Sequence, residues 1–223
     1  MELFRVGGAV RDSFLGLSSK DVDFAVEAES FEAMVNGVRA MGGEVFLETP
    51  QFFTVRANVP SLGAADFVLC RRESGFTDGR RPDHVEMGTI MDDLSRRDFT
   101  VNAMAIRVSN GELLDPFNGQ IDLSNRLLRA VGDPMERLQE DELRALRAVR
   151  FAVTKGFTLD VELAEAMRSV TLRGVSVERT REELNRAFMV DTLATLELLN
   201  SFPNLLNAAF NGTGLRLQST LRS

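Results

Sequence analysis

Apolar positions in this chain change their period along its length. The opening run, Leu3 to Val6, is short and apolar and predicts a strand ending at Gly7 and Gly8. From Ala9 to Leu17 the spacing becomes helical, with Val10, Phe14 and Leu17 on one face. Val22, Phe24 and Val26 then alternate with polar neighbours, as a strand with one face on a core does. A helix is predicted over 30–41, carried by Phe31, Met34, Val35 and Val38, with Ser30 as N-cap and Gly42-Gly43 as its stop. Strand runs follow at 44–47, 52–59 and 64–70. Residues 71–91 are polar, carry Gly75, Gly79, Pro82 and Gly88 and show no period, which predicts a long loop. Ser109-Asn110-Gly111 separates two short apolar runs, 105–108 and 112–114, and reads as a hairpin turn. Beyond Gly132 the pattern is helical over 137–152, 160–170 and 176–199. After Phe202-Pro203 the chain turns polar and glycine-bearing. No internal repeat is visible.

Composition narrows the class without changing this picture. The 223 residues are 44% hydrophobic and 26% charged, as expected for an ordinary soluble globular domain with a helical appendix. No apolar run reaches the length of a membrane span, and the start lacks a signal-peptide pattern, so no membrane partner is expected. The single cysteine, Cys70, lies in an apolar run, reads as a small core residue and fits a reducing cytoplasm. A net charge of −7 argues against a surface coated for non-specific nucleic-acid binding, and no DNA partner is expected. The basic residues are nevertheless arginine except for Lys20 and Lys155, and they crowd at 71–72, 80–81, 96–97 and at 144, 147 and 150. Arginine suits forked contacts to phosphates and base edges.

Three blocks carry candidate chemistry. In Val6-Gly7-Gly8-Ala9-Val10-Arg11-Asp12 a glycine turn opens a helix. Gly7 and Gly8 lack a Cβ and let backbone N–H groups approach a phosphate, and Arg11 adds a charged fork. Asp21 and Asp23 share the strand face opposite Val22 and Phe24, a spacing that can hold a pair of hard divalent ions. In the second block, Arg96-Arg97-Asp98-Phe99-Thr100-Val101-Asn102-Ala103, Arg97 can neutralise phosphate. Asp98 and Asn102, four apart on one helix face, can read ribose hydroxyls. The third is Glu140-Asp141-Glu142-Leu143-Arg144. A wheel over 137–152 puts Asp141, Ala145, Ala148 and Ala152 on one meridian with Arg144 beside Asp141, and Leu143, Leu146, Val149 and Val153 on the buried arc. A carboxylate and a guanidinium beside small residues leave room for a flat base and can pair with its edge.

In order and spacing these blocks resemble the class II tRNA nucleotidyltransferase and bacterial poly(A) polymerase family, within the polymerase-β nucleotidyltransferase superfamily. Asp115-Pro116-Phe117-Asn118-Gly119 resembles that family's third motif, and Val177-Glu178-Arg179-Thr180-Arg181-Glu182-Glu183-Leu184 its fifth, with Thr180 where isoleucine is usual. The resemblance implies an α+β fold: a polymerase-β-like catalytic head over 1–132, with a mixed or antiparallel sheet and helices, then an all-helical neck over 133–200. Residues 201–223 would be a short remnant of the body and tail that grip the tRNA acceptor arm in that family, so a minimal enzyme, a longer natural chain or two copies sharing the work would each account for it. It further implies Mg²⁺ held by Asp21 and Asp23, and a third acidic residue, Asp66, positioning metal or the attacking hydroxyl. Asp141 and Arg144 would act as protein template for CTP and ATP, with Arg147 a further nucleotide contact. Arg150 matches such a contact too, although the wheel turns it toward the apolar arc. The activity implied is CCA addition to tRNA 3′ ends. Poly(A) synthesis and partial, CC-only or A-only, addition are the alternatives within the family, and a non-catalytic RNA- or nucleotide-binding homologue is the alternative outside it. Poly(A) polymerases carry Gly-Arg-Arg-Phe after the second helix, where this chain reads Gly42-Gly43-Glu44-Val45-Phe46.

Overall fold

The computed structural model describes residues 1–17, 22–60, 62–75 and 84–211. The chain divides into two compact units, the first comprising 1–75, 82–125 and 129–132, the second 76–81, 126–128 and 133–223.

The first unit is built on a mixed seven-stranded sheet in the order β3-β4-β5-β2-β1-β8-β9. Its strands are β1 (Glu2–Val6), β2 (Val22–Glu27), β3 (Glu44–Thr49), β4 (Thr54–Val59), β5 (Gly63–Leu69), β8 (Ala105–Arg107) and β9 (Leu113–Leu114). Neighbours pair antiparallel except β2 and β5, which run parallel. Alternation along the strands decides which face is buried. Phe24, Val26, Val55, Ala57, Phe67 and Leu69 meet Met34, Val35 and Val38 of α2 (Phe31–Ala40), and the Phe24 and Phe67 rings stack at 5.1 Å. Ser30 caps α2 by accepting from the Ala33 N–H at 3.0 Å, as its sequence predicts. On the other face Phe4, Val6 and Ala25 pack with Cys70, Ala103, Ala105 and with Ile90 and Leu94 of α3 (Ile90–Ser95). Burial pushes the Cys70 thiol well above its ordinary pKa, with the nearby Asp93 and Glu27 carboxylates adding to it. α4 (Gly119–Ser124) completes this unit, its first N–H groups donating to Asp115.

Two elements of the first unit depart from the sequence pattern. The helix expected over 9–17 is α1 (Gly8–Phe14); the N–H of Leu17 turns back to Asp12, Gly16 takes φ +70°, and Phe14 and Leu17 are exposed. The expected loop over 71–91 contains an antiparallel pair, β6 (Arg71–Ser74) with β7 (His84–Met87). Ion pairs rather than apolar alternation hold it: Arg71 to Glu73, Arg72 to Glu86 and to Asp92 of α3, and Glu73 to Arg96. A hydrophobic period therefore carried no signal for it.

Among its described residues the second unit is helical apart from the short parallel pair β10 (Leu127–Leu128) and β11 (Thr158–Leu159). Its helices are α5 (Pro134–Glu140), α6 (Leu143–Lys155), α7 (Val161–Met167), α8 (Val177–Phe188), α9 (Thr192–Asn200) and α10 (Pro203–Phe210). Two runs read as continuous helices are interrupted at aspartates. Asp191 caps α9 by accepting from the Ala194 N–H at 2.9 Å, splitting the stretch 176–199. Asp141 takes an extended conformation between α5 and α6, and its Oδ1 accepts from the Leu143 N–H at 3.1 Å. In both places a short carboxylate competes for backbone N–H groups and starts a new helix.

Candidate active site

The first unit brings the glycine turn, one aspartate of the predicted pair and the second block together. Val6, the last residue of β1, pairs with Asp23 on β2, so Gly7 leaves the sheet beside that carboxylate. Gly7 adopts φ +69° and ψ −136°, a backbone state that favours glycine. A Cβ there would stand 3.1 Å from Nη1 of Arg97 and 3.9 Å from Oδ2 of Asp23, and a Cβ on Gly8 would stand 3.5 Å from Nη2 of Arg11. Both arginines thus lie against the glycine turn. Asp23 itself is exposed. Asp21, its expected partner, lies outside the described residues.

Asp66 stands next to Asp23. The two are register partners on the parallel strands β2 and β5, and their side chains leave the same face of the sheet. Asp66 is also gripped from its other side: Nε and Nη2 of Arg56, its partner on β4, donate to the two carboxylate oxygens at 2.5 and 2.7 Å. The backbone freedom of Gly7 is legible in the sequence, whereas Arg56 was not singled out from it. For Arg56 no local signal exists, since its partner is chosen by strand order.

Arg97 owes its position to Asp93. That carboxylate, 1% exposed, accepts from Nη2 of Arg97 at 2.8 Å and from both Nε and Nη2 of Arg96, and Nη1 of Arg97 donates to the Asn102 carbonyl. Burial alone would raise the pKa of Asp93, but the charges of Arg97 and Arg96 outweigh it and hold the acid below its ordinary range. Asp98 and Asn102 do meet, though not through helix spacing. α3 has ended, and a single 3₁₀ turn over 100–102 brings Nδ2 of Asn102 to 3.0 Å from Asp98 Oδ1. Nη1 of Arg11 donates to Oδ1 of Asn102 at 2.5 Å and its Nε to Asp12 at 2.9 Å. Arg11, Asn102 and Asp98 are all buried and form one hydrogen-bonded chain. Of the Arg11 fork, Nη1 orients Asn102, while Nη2 lies by the glycine turn where phosphate is expected.

The third block sits in the second unit, and its local geometry corrects the helical wheel. Asp141 lies between helices, not on the α6 meridian. Ala145 and Ala148 face the interior and are fully buried, so the alanine row opens no slot for a base. Asp141 accepts from Nη2 of Arg179 at 2.6 Å and Nη1 at 3.4 Å. Nη1 of Arg144 donates to Glu140 at 2.6 Å and to the Arg137 carbonyl at 2.7 Å. Nε of Arg150 donates to Glu183 at 2.5 Å, with Arg147 at 3.7 Å from the same carboxylate and both guanidinium groups over the Phe151 ring. The stretch 177–184 therefore braces the third block, as charged residues on α8 reach α6 and the break before it. Arg179 and Glu183 were not named as site residues from sequence. The buried Thr180 occupies the position where isoleucine is usual.

The first unit thus holds a glycine turn beside paired carboxylates on adjacent strands, followed by an arginine-aspartate-asparagine network. The chain belongs to the poly A polymerase head-domain family, whose model matches residues 3–129. More narrowly, it is 41% identical over 189 residues to the CCA-adding enzyme of Levilactobacillus brevis, covering 82% of this chain and 45% of that protein. It is 40% identical over 194 residues to the CCA-adding enzyme of Lactiplantibacillus plantarum, covering 84% and 45%. Among solved structures, the Bacillus stearothermophilus CCA-adding enzyme in complex with CTP superposes with a TM-score of 0.79 at 32% identity, covering 95% of this chain and 50% of that one. A tRNA nucleotidyltransferase complexed with a primer tRNA and an incoming ATP analog superposes with a TM-score of 0.76 at 33% identity, covering 95% and 60%. The chain thus spans about half the length of the curated relatives it matches. Among the described residues no helix is long and apolar enough to cross a membrane.

Proposed function

We propose that this chain transfers nucleotides from CTP and ATP onto the 3′ end of tRNA, building CCA and releasing pyrophosphate. The observation that carries the reading is the alignment of Asp23 with Asp66 on parallel strands, beside a glycine turn flanked by Arg97. The oxygen of the RNA 3′-hydroxyl attacks the α-phosphorus, its proton is lost, and the bond to the pyrophosphate oxygen breaks. The turn at Gly7 and Gly8, with Arg97, holds phosphate, while Asp98 and Asn102, fixed by Arg11, contact the ribose. Asp141 and Arg144 select the base, with Arg147 and Arg150 supporting them.

Carboxylate oxygens suit a hard divalent ion, and Mg²⁺ would be held by Asp21 and Asp23, with Asp66 orienting the attacking hydroxyl. A bound ion of this kind supplies charge that acidifies the hydroxyl and stabilises the leaving pyrophosphate. Resemblance to CCA-adding enzymes and the absence of Gly-Arg-Arg-Phe after α2 favour CCA over poly(A) as product. A buried Cys70 and a reducing cytoplasm are mutually consistent.

The test is incubation of the protein with tRNA lacking its 3′ end, Mg²⁺ and labelled CTP or ATP, separately and together. Two additions with CTP and a third only with ATP present support CCA addition. A ladder with ATP alone means poly(A) synthesis, and tRNA binding without extension sinks the catalytic reading.

A further inference from the structure

The edge strand β3 carries a β-bulge. Val45 pairs with Ala57 and Leu47 with Arg56, leaving Phe46 as the extra residue between them. A bulge breaks the alternation of side chains and re-aims one of them. Here the re-aimed group is a phenyl ring that remains 56% exposed, although apolar packing is available on the α2 side of the same sheet. It lines a cavity of about 450 Å³ together with Asp23, Asp66, Arg56, Ala64 and Ala65. The cavity combines an aromatic face, a half-exposed guanidinium held flat by Asp66, small alanine side chains and the two aligned carboxylates. It borders the glycine turn at Asp23, which both share, while the turn's other contacts run to Arg97 and Arg11.

We propose that this cavity is the subsite for the 3′-terminal nucleoside of the acceptor RNA, with Phe46 as the platform on which its base stacks and Arg56 beside the phosphate that precedes it. The proposal rests on the nucleotidyltransferase reading above. A growing RNA end changes base at each addition, and a ring recognises every base by its π-face without reading its edge. Hydrogen-bonding side chains at this place would favour one terminal base. The guanidinium supplies charge for the backbone phosphate, and the terminal ribose would then lie toward Asp23 and Asp66.

The test uses the full chain with an RNA hairpin ending at the position before CCA, Mg²⁺ and CTP, comparing Phe46→Leu and Phe46→Trp with the parent. Because Phe46 is exposed, both variants should fold. Phe46→Leu should raise the KM for RNA by about tenfold, as loss of one stacked base would, with the KM for CTP unchanged. Phe46→Trp should restore it. A hairpin whose 3′-terminal nucleotide is abasic should suffer a similar loss with the parent and none beyond it with Phe46→Leu. Equal penalties for the abasic RNA in both proteins, or an unchanged RNA KM in Phe46→Leu, would overturn the subsite. If the parent extends no RNA, the activity reading fails, and the same comparison made by equilibrium binding of the labelled hairpins still decides on the subsite.

Discussion

Asp141 and Arg179 face each other across 38 residues, the guanidinium fork closing on the carboxylate at the break between α5 and α6. The carboxylate proposed to read an incoming base is thereby held by α8 as well as by the Leu143 N–H at the start of α6. Arg179→Ala should release it and lower the preference for CTP and ATP over UTP and GTP by about tenfold, the worth of one hydrogen-bonded base contact. Because both partners are partly exposed, the thermal midpoint should fall by no more than about 1 kcal/mol would move it. Asp141→Ala should produce the same loss, and the double variant no more. Unchanged selectivity in either single variant removes Asp141 from base reading.

Asp23 is exposed and packs into neither core cluster. Asp23→Ala should therefore leave the melting transition in place while incorporation falls on the order of 10³-fold or more, the scale of a lost charge-stabilising group. Incorporation within tenfold of the parent would refute its assignment to the metal.

Gly7→Ala tests the turn. Its positive φ would strain any L side chain, and the new methyl would press on Nη1 of Arg97. A destabilisation of about 1–3 kcal/mol is expected, with a rise in the KM for nucleoside triphosphate. A nucleotide KM equal to the parent's would show that the turn does not touch the nucleotide.

Acid should loosen the first unit around α3. The hydrogen bond from Arg72, then that from the Thr89 N–H, holds the Asp92 carboxyl down to about 2, against an ordinary 3.8. Arg97 and Arg96 hold Asp93 low despite its burial. Carboxyls depressed in the folded state stabilise it fully above their unfolded pKa, and this contribution disappears as pH falls through the folded value. Stability measured by denaturant titration should therefore drop between about pH 4 and pH 2. The Asp92→Asn variant should show a shallower drop in that window. Asp93→Ala, which leaves two arginines facing a buried gap, should cost about 3–5 kcal/mol at neutral pH. An identical acid profile for parent and Asp92→Asn would remove the Arg72–Asp92 pair from the account.

What the chain determined alone was its local chemistry. Ser30 caps α2, Val22, Phe24 and Val26 alternate into a core, and Ser109-Asn110-Gly111 turns a hairpin, because each depends on residues a few positions apart. The family's motifs were legible for the same reason, being contiguous letters. Tertiary structure decided the partners. Asp23 beside Asp66, Arg56 beneath it, the bulged Phe46, and Arg179 on Asp141 join residues whose adjacency comes from strand order or helix packing. A helical wheel placed Asp141 on an open alanine face because it assumes one unbroken helix. A carboxylate that captures a nearby N–H, and a distant arginine that captures the carboxylate, are competitions between interactions, and only the folded chain settles which one wins.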